Sequence, residues 1–200
     1  MAELTTDDVE QFTGGRLLAD DVEVERMLKT ALVIARRECG WHVSPVTQVT
    51  LVLDGPDSRI LSLPSRKVTS LTSVTEKGSA LNVADLVWSA GGPPGLMDRP
   101  VSVRKKNRGW WSDEYQSITV VAVSGYTEVE AADWRQAVLS MVDQMAALGS
   151  TGRADSDLVS KKVDDVTYTY GSPYAAMAQE SILGMSSIFD DYRLPRLEFM

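Results

Sequence analysis

Cysteine and histidine are nearly absent from this 200-residue sequence, which contains one of each, Cys39 and His42. A single cysteine excludes an internal disulfide framework and favours a reducing compartment. Nucleophilic catalysis by a Ser–His or Cys–His pair would have to use His42, which follows Trp41 at the exit of a predicted helix, and we interpret it as structural. No spacing typical of zinc or calcium ligands occurs. The sequence therefore predicts no catalytic residue, no metal and no cofactor, and a protein that is not an enzyme.

Positive charge and long apolar runs are also scarce. Lysine and arginine number 20 against 28 acidic residues, which gives a net charge of -8 and a pI near 4.7. This balance excludes a protein that grips nucleic acid over its whole surface, but not one that surrounds DNA without holding it. No apolar run approaches the roughly 20 residues of a membrane span. The acidic N-terminus does not fit a signal peptide, so no membrane partner is predicted.

The segment from 117 to 149 organises the predicted fold. An apolar strand ends at Ser124-Gly125-Tyr126, and Thr127 and Glu130 then have the spacing of a capping box at the start of a helix near 128–148. The apolar side chains of this helix recur at helical spacing and form a seam for packing: Trp134, Val138, Met141, Met145 and Leu148.

Two helices precede it, near 6–13 and 20–39. We predict Thr6 as the cap of the first and Asp20, with Glu23 at capping-box distance, as the cap of the second. One face of the second helix is apolar and is predicted to be buried: Val24, Leu28, Ala31, Ala35 and Cys39. Cys39 is therefore expected to be an inert, buried thiol.

β-branched residues with a period of two indicate an insert of strands at about 46–123. The last two strands, 101–105 and 110–123, are predicted to face each other across a hairpin turn at 106–109. The fold class is α+β. Residues 1–149 form a helical core carrying the β insert 41–126, and 150–200 form a C-terminal arm with an exposed strand at 163–170 and a helix at about 173–191.

A basic and aromatic cluster lies at the predicted hairpin turn. It consists of Arg104, Lys105, Lys106 and Arg108 with Trp110 and Trp111. One interpretation is contact with a nucleic-acid backbone or with an acidic partner. The other is a solvated turn whose tryptophans cover the insert, and we favour it because adjacent strand residues point to opposite faces.

The order of these parts resembles the head-to-tail connector, or adaptor, family of long-tailed bacteriophages. The resemblance lies in the Val49–Pro56 and Leu63–Ser70 segments of the insert, in Ser124-Gly-Tyr126 before the helix, and in the tail segments Val163–Tyr170 and Tyr192–Pro195. It implies a structural virion protein that assembles in the host cytoplasm as a ring, with twelve subunits expected, beneath the portal. The ring extends the DNA channel, receives a stopper or tail-completion protein, and lets phage DNA pass without specific binding.

The resemblance also implies that the arm binds the portal protein. The residues expected at that contact are Tyr168, Tyr170, Ile182, Met185, Phe189, Tyr192, Arg193, Leu194, Arg196, Leu197 and Phe199. Two alternatives stay open. In the first, the chain is the neighbouring neck component, which is a stopper or tail-completion protein. In the second, it is a ligand- or carbohydrate-binding module with Trp88, Trp110 and Trp111 as a stacking platform.

Overall fold

The computed structural model describes residues 2–94, 99–150, 160–163, 166–169 and 187–195, with the backbone alone at 148–150, 160–163 and 166–169. It confirms the predicted α+β class. The helices are α1 (Thr6–Phe12), α2 (Val22–Cys39) and α3 (Ala132–Ser150), and residues 187–192 are also helical. The strands are β1 (Thr47–Leu53), β2 (Leu61–Ser62), β3 (Val68–Glu76), β4 (Ser79–Leu81), β5 (Leu86–Trp88), β6 (Ser102–Lys105), β7 (Ile118–Ser124), β8 (Ser160–Val163) and β9 (Val166–Thr169), with a 3₁₀ turn at Val83–Asp85.

The helix caps differ by one residue from two of the predictions. The cap of α1 is Thr5, not Thr6, because the Thr5 hydroxyl accepts from the Asp8 amide while the Asp8 carboxylate accepts from the Thr5 amide at 2.8 Å. The cap of α2 is Asp21, not Asp20, since its carboxylate accepts from the Glu23 amide at 2.8 Å. In both places neighbouring residues are chemically equivalent caps, and the sequence alone does not choose between them.

The apolar faces of the long helices are confirmed in α2 and partly in α3. All five α2 residues predicted to be buried are buried. In α3 the buried side chains are those of Trp134, Ala137, Val138 and Val142. Met141 and Met145 are only half-buried. The buried stripe is thus rotated relative to the predicted seam, because alanine and valine occupy the positions where the helix packs closely.

Two antiparallel sheets share one core. The larger has the strand order β1-β7-β3-β4 and the smaller has the order β2-β6-β5. Their buried side chains form a single cluster that includes Leu61, Val74, Val103, Trp111 and Val120. β4, which the sequence analysis missed, returns on β3 through a tight turn at Lys77-Gly78.

The predicted hairpin at 106–109 is wrong. β6 pairs with β2 and β5, whereas β7 pairs with β1 and β3. Residues 111–114 instead run antiparallel to 55–58, with the Gly55 amide donating to the Glu114 carbonyl at 2.8 Å. Positive φ at Gln116 separates this irregular pairing from β7. The turn itself uses positive φ at Arg108 rather than at Gly109.

The predicted exposed strand at 163–170 is also corrected. β8 and β9 are two strands that pair with each other as a hairpin, with Val163 opposite Val166. The alternation seen in the sequence therefore runs across parts of two paired strands and not along one.

By packing, the chain divides into two units. The β unit consists of Met1–Glu3, Arg36–Ala132 and Asp190–Met200, and the helical unit of Leu4–Ala35 and Asp133–Phe189. The predicted division placed the boundary at Gly149 by chain order. In the structure, residues from the end of the chain pack with the β unit.

Candidate interaction surfaces

Tyr126 lies at the junction where β7 ends. Its ring makes edge-on contacts with Trp41 at 5.7 Å and with Tyr192 at 5.5 Å between ring centroids. Its hydroxyl donates to the Gly92 carbonyl at 2.8 Å. Gly125 precedes it with φ of 119°, and a Cβ there would lie 2.6 Å from the Pro45 carbonyl oxygen. Only glycine meets both conditions without strain, so the Gly-Tyr pair fixes how the chain turns out of the sheet.

Residues 190–195, which we call the C-terminal clasp, dock on the β unit around this junction. The Trp41 indole donates to the Tyr192 carbonyl at 2.7 Å, and the Leu194 amide donates to the Cys39 carbonyl at 2.8 Å. The buried Arg66 guanidinium donates to the carbonyls of residues 191 and 193. The clasp is therefore held mainly through its backbone.

Side chains of the clasp add further contacts. Tyr192 is fully buried, and its hydroxyl donates to the Glu130 carbonyl at 3.1 Å. Arg193 pairs with Glu38, its Nη2 lying 2.9 Å from the carboxylate, and with Asp190 at 2.8 Å. These contacts fix the last described residues of the chain to the β unit.

An ion pair stands beside the clasp. Lys67 donates to the Glu130 carboxylate and lies 5.3 Å from the centre of the Tyr126 ring. The Lys67 hydrogen bond, with the Thr127 amide donating as well, lowers the pKa of Glu130 to about 2. Glu130 also accepts from the Thr127 hydroxyl at 2.9 Å while Thr127 accepts from the Glu130 amide, which confirms the predicted capping box. These contacts close a turn at 127–131, because α3 begins at Ala132 and not near 128 as predicted. The Glu130 carboxylate thus holds both this turn and the Lys67 side chain.

The basic side chains at the 106–109 turn differ in their exposure to solvent. Lys105 is mostly buried, lies 2.5 Å from the Glu76 carboxylate, donates to the Trp110 carbonyl at 2.8 Å and stands over the Trp111 ring at 4.7 Å. Its charge is therefore matched within the chain. Arg104, Lys106 and Arg108 are exposed. These three side chains are the part of the cluster that is available to a partner.

The three tryptophans do not form a stacking platform. Trp111 is 1% exposed and belongs to the core, whereas Trp110 is 58% exposed. This confirms that the two adjacent tryptophans differ in environment, one covering the core and the other facing solvent. Trp88 packs partly buried against the core cluster. A ligand site built on all three rings is therefore ruled out by their burial.

His42 and Cys39 take structural places. The His42 Nε2 lies 2.6 Å from the Pro45 carbonyl oxygen, and burial lowers the pKa of its ring. Cys39 is fully buried, as predicted.

Among the described residues, no group of three or more histidine, cysteine, aspartate or glutamate side chains is placed to hold a metal ion. Within the same part of the chain, no helix is both long and apolar enough to cross a membrane.

The structure describes only some of the residues predicted to bind a portal. Phe189 and Tyr192 are buried, and Arg193 and Leu194 have contacts within this chain. For Tyr168 the structure gives only its place in β9. The remaining predicted residues lie outside the described part of the chain: Tyr170, Ile182, Met185, Arg196, Leu197 and Phe199. The portal contact stays a prediction for all of them.

The sequence analysis missed the residues that receive the clasp. Glu38 and Trp41 lie together at the end of α2, whereas Arg66 precedes β3, and no periodic pattern relates Arg66 to the other two.

The fold is shared with chains of solved gene transfer agent (GTA) particles. A chain from the neck of a native GTA particle, computed with C12 symmetry, gives a TM-score of 0.59 at 13% identity over 98% of this chain and 94% of that one. A chain from the neck of an empty GTA particle, computed with C6 symmetry, gives 0.63 at 13% identity over 98% and 95%. A chain from the virion of the native particle gives 0.62 at 14% identity over 97% and 91%. No protein-family model and no curated protein matches the chain.

Proposed function

We propose that this chain is a structural protein of the neck of a phage-like particle. More specifically, we propose a head-to-tail connector, or adaptor, that forms a ring beneath the portal and joins the capsid to the tail. The observation that carries the proposal is the shared fold, which spans nearly the full length of both this chain and the GTA neck chains. The role needs binding surfaces but no catalytic centre.

A ring of identical copies is supported by the symmetry of those necks, which is twelvefold in one and sixfold in the other. A closed ring uses one surface of each copy against a different surface of the next. The acidic balance of the chain suits a lumen through which DNA slides, because phosphate and carboxylate repel each other.

We propose that the arm carries the portal contact, with the clasp as its fixed base. In this arrangement Tyr168, Tyr170, Ile182, Met185, Arg196, Leu197 and Phe199 face the portal. Tyr192, Arg193 and Leu194 hold the base in place, since the structure gives them partners within this chain. Phe189 is buried and directly precedes the clasp.

The test is co-sedimentation of the full-length chain with portal rings and with particles assembled in producing cells. An arm variant replaces Tyr168, Tyr170, Ile182 and Met185 with Ser. Its matched control replaces Leu18 and Val33, which are exposed apolar residues of the helical unit, with Ser. We expect the native chain and the control to sediment with the rings and the arm variant to remain in solution.

The outcomes separate two claims. A native chain that never sediments with particles would refute the neck function. An arm variant that sediments as well as the control would leave the neck function standing but refute the placement of the portal contact.

The second candidate is a neighbouring neck component, a stopper or tail-completion protein, and the likeness to neck chains supports it as well. Chemical cross-linking in particles distinguishes the two, because an adaptor cross-links to the portal and a stopper cross-links to the adaptor above it.

The exposed part of the basic cluster is the proposed contact with the next neck protein or with DNA. Replacing Arg104, Lys106 and Arg108 with Ser removes three exposed charges and leaves the matched Lys105–Glu76 pair intact. We expect normal folding and fewer infectious particles. A normal yield would identify the turn as solvated surface without a partner.

A further inference from the structure

β1 is an open edge of the four-stranded sheet. It pairs with β7 along its whole length, and among the residues that the structure describes no strand pairs with its other side. The orientation of its backbone follows from β7. The Ser117 carbonyl and the Gly125 amide both face β3, so the backbone groups of Ile118, Val120, Ala122 and Ser124 face β1.

Because residues opposite each other in such pairs exchange both hydrogen bonds, Thr47, Val49, Leu51 and Leu53 bond to β7. The backbone groups of Gln48, Thr50 and Val52 therefore face the open edge. Three amides and three carbonyls stand in a row there, which is the arrangement that accepts another strand.

This edge lacks the features by which proteins protect exposed strands. Such strands usually carry charges, a proline or a bulge, or are very short. β1 is seven residues long, contains neither charge nor proline, and pairs in an unbroken register. The opposite edge of the same sheet is protected, because β4 has only three residues and pairs with the bulged strand β3.

The outer face of the sheet is also suited to burial. The side chains that point away from the core carry no charge: Gln48, Thr50, Val52, Ser70, Ser73, Thr75, Ala80, Thr119, Val121 and Val123. About a quarter of all residues in the chain are charged, so a face of ten uncharged side chains differs from the rest of the surface. Such a face loses little hydration when a protein covers it.

A second feature of the chain complements this edge. The hairpin of β8 and β9 is a sheet of two strands with no third strand among the described residues. An isolated hairpin is only marginally stable in water and gains stability from joining a larger sheet. β8 has the composition Ser-Lys-Lys-Val, and lysine is typical of strands whose outer edge stays unpaired. β9 is Val-Thr-Tyr-Thr, uncharged and rich in residues that favour strands.

We infer that β9 of a second copy of this chain pairs with β1 and extends the four-stranded sheet across the interface between copies. The inference rests on the proposed ring, in which one surface of each copy contacts a different surface of the next. It deepens that proposal by naming the two surfaces. The pairing uses backbone groups and leaves the side chains of β9 available to the portal.

Cross-linking of the full-length chain tests the pairing. Thr50→Cys is combined in one chain with a cysteine at each of positions 166, 167, 168 and 169 in turn, and the chains are oxidised at rising concentration and in particles. Opposed Cβ atoms of paired strands lie about 5 Å apart, within disulfide reach for at least one combination. The matched control is Thr72→Cys, an exposed threonine of β3 that lies at the register irregularity between Leu71 and Ser73, where the row of backbone groups is broken. Cys39 does not compete, because it is fully buried.

We expect a ladder of covalent dimers, trimers and larger multimers from at least one Thr50 combination and from none of the Thr72 combinations. A single band that migrates faster than the uncross-linked chain would overturn the inference, because it would show the hairpin on β1 of its own copy. Monomers alone, in solution and in particles that contain the chain, would also overturn it without touching the neck function. Absence of the chain from particles would count against the neck function, and the ladder in solution would then still decide the pairing.

A backbone variant gives an independent test. Thr50→Pro removes one amide that faces the open edge, whereas Thr50→Val keeps it and neither change removes a hydrogen bond to β7. We expect Thr50→Pro to assemble at least about tenfold less than Thr50→Val, measured by native mass spectrometry. Equal assembly would overturn the inference.

Should Thr50→Pro fail to fold, a charge on the outer face replaces it. Val52→Lys introduces that charge, and Val33→Lys is its control, because the two valines are 58% and 63% exposed. Assembly lost only in Val52→Lys supports the inference, and equal assembly of the two variants overturns it.

Discussion

Tyr192→Ala is the substitution that most directly tests whether the end of the chain belongs to the β unit. Tyr192 is fully buried, its ring packs edge-on against Tyr126, and its hydroxyl donates to the Glu130 carbonyl. Losing a buried aromatic ring costs about 3–5 kcal/mol. Tyr192→Phe keeps the ring and removes one hydrogen bond, so it should cost only about 1 kcal/mol.

The assay is guanidinium denaturation of the full-length chain followed by tryptophan fluorescence, which reports on the nearby Trp41. We expect the free energy of unfolding to fall in the order native, Tyr192→Phe, Tyr192→Ala, with the larger step between the two variants. A loss below about 1 kcal/mol for Tyr192→Ala would refute the docking of the clasp, because a free arm has no packing to lose. In that case residues 190–195 would belong to a separate arm, as the predicted boundary at residue 150 implies.

Three further predictions concern the surroundings of the clasp and the core. Glu130 has a lowered pKa, so the stability that it contributes is present above its ordinary pKa of 4.5 and is lost as the pH falls toward 2. Glu130→Gln should lower the free energy of unfolding at pH 7 by about 1 kcal/mol, a figure reduced for solvent screening because the carboxylate is partly exposed. The same variant should flatten the pH dependence of unfolding between pH 4.5 and about 2. Lys105→Met leaves the mostly buried Glu76 carboxylate without its partner and should cost about 2–3 kcal/mol in denaturation, whereas Arg104→Ser should change the stability by less than about 0.5 kcal/mol. Gly125→Ala forces a side chain into a left-handed conformation against the Pro45 carbonyl and should cost at least about 2 kcal/mol, and an unchanged midpoint would show that the turn out of β7 can relax.

Local patterns in the sequence were sufficient for the fold class and for most element positions. The spacing of apolar residues predicted α2 and its buried face, and the Thr127–Glu130 spacing predicted reciprocal hydrogen bonds that the structure confirms, although α3 begins only at Ala132. These features depend on residues within one or two turns of one another, and nearby residues are what periodicity and capping describe.

The same local patterns did not predict which strands pair or which distant residues make contact. The 106–109 turn has the chemistry of a hairpin, but β6 pairs with β2 and β5, because the core is completed by two sheets rather than by neighbours in sequence. The clasp was missed for a related reason. Its receptors, Trp41 and Arg66, contact backbone atoms about 150 and 130 residues away in the chain, and a backbone carbonyl has no sequence signature.

Recognition through the backbone also determines where this protein can change its sequence over generations. The backbone carbonyls that Trp41 and Arg66 engage are present in every amino acid, so a substitution at Asp191 leaves these hydrogen bonds in place. Substitutions at Trp41 or Arg66 remove them. Selection on these backbone contacts therefore acts on Trp41 and Arg66, which lie far from the clasp in sequence. Within the clasp, the buried Tyr192 is constrained by its own packing, whereas the exposed Asp191 is freer to change.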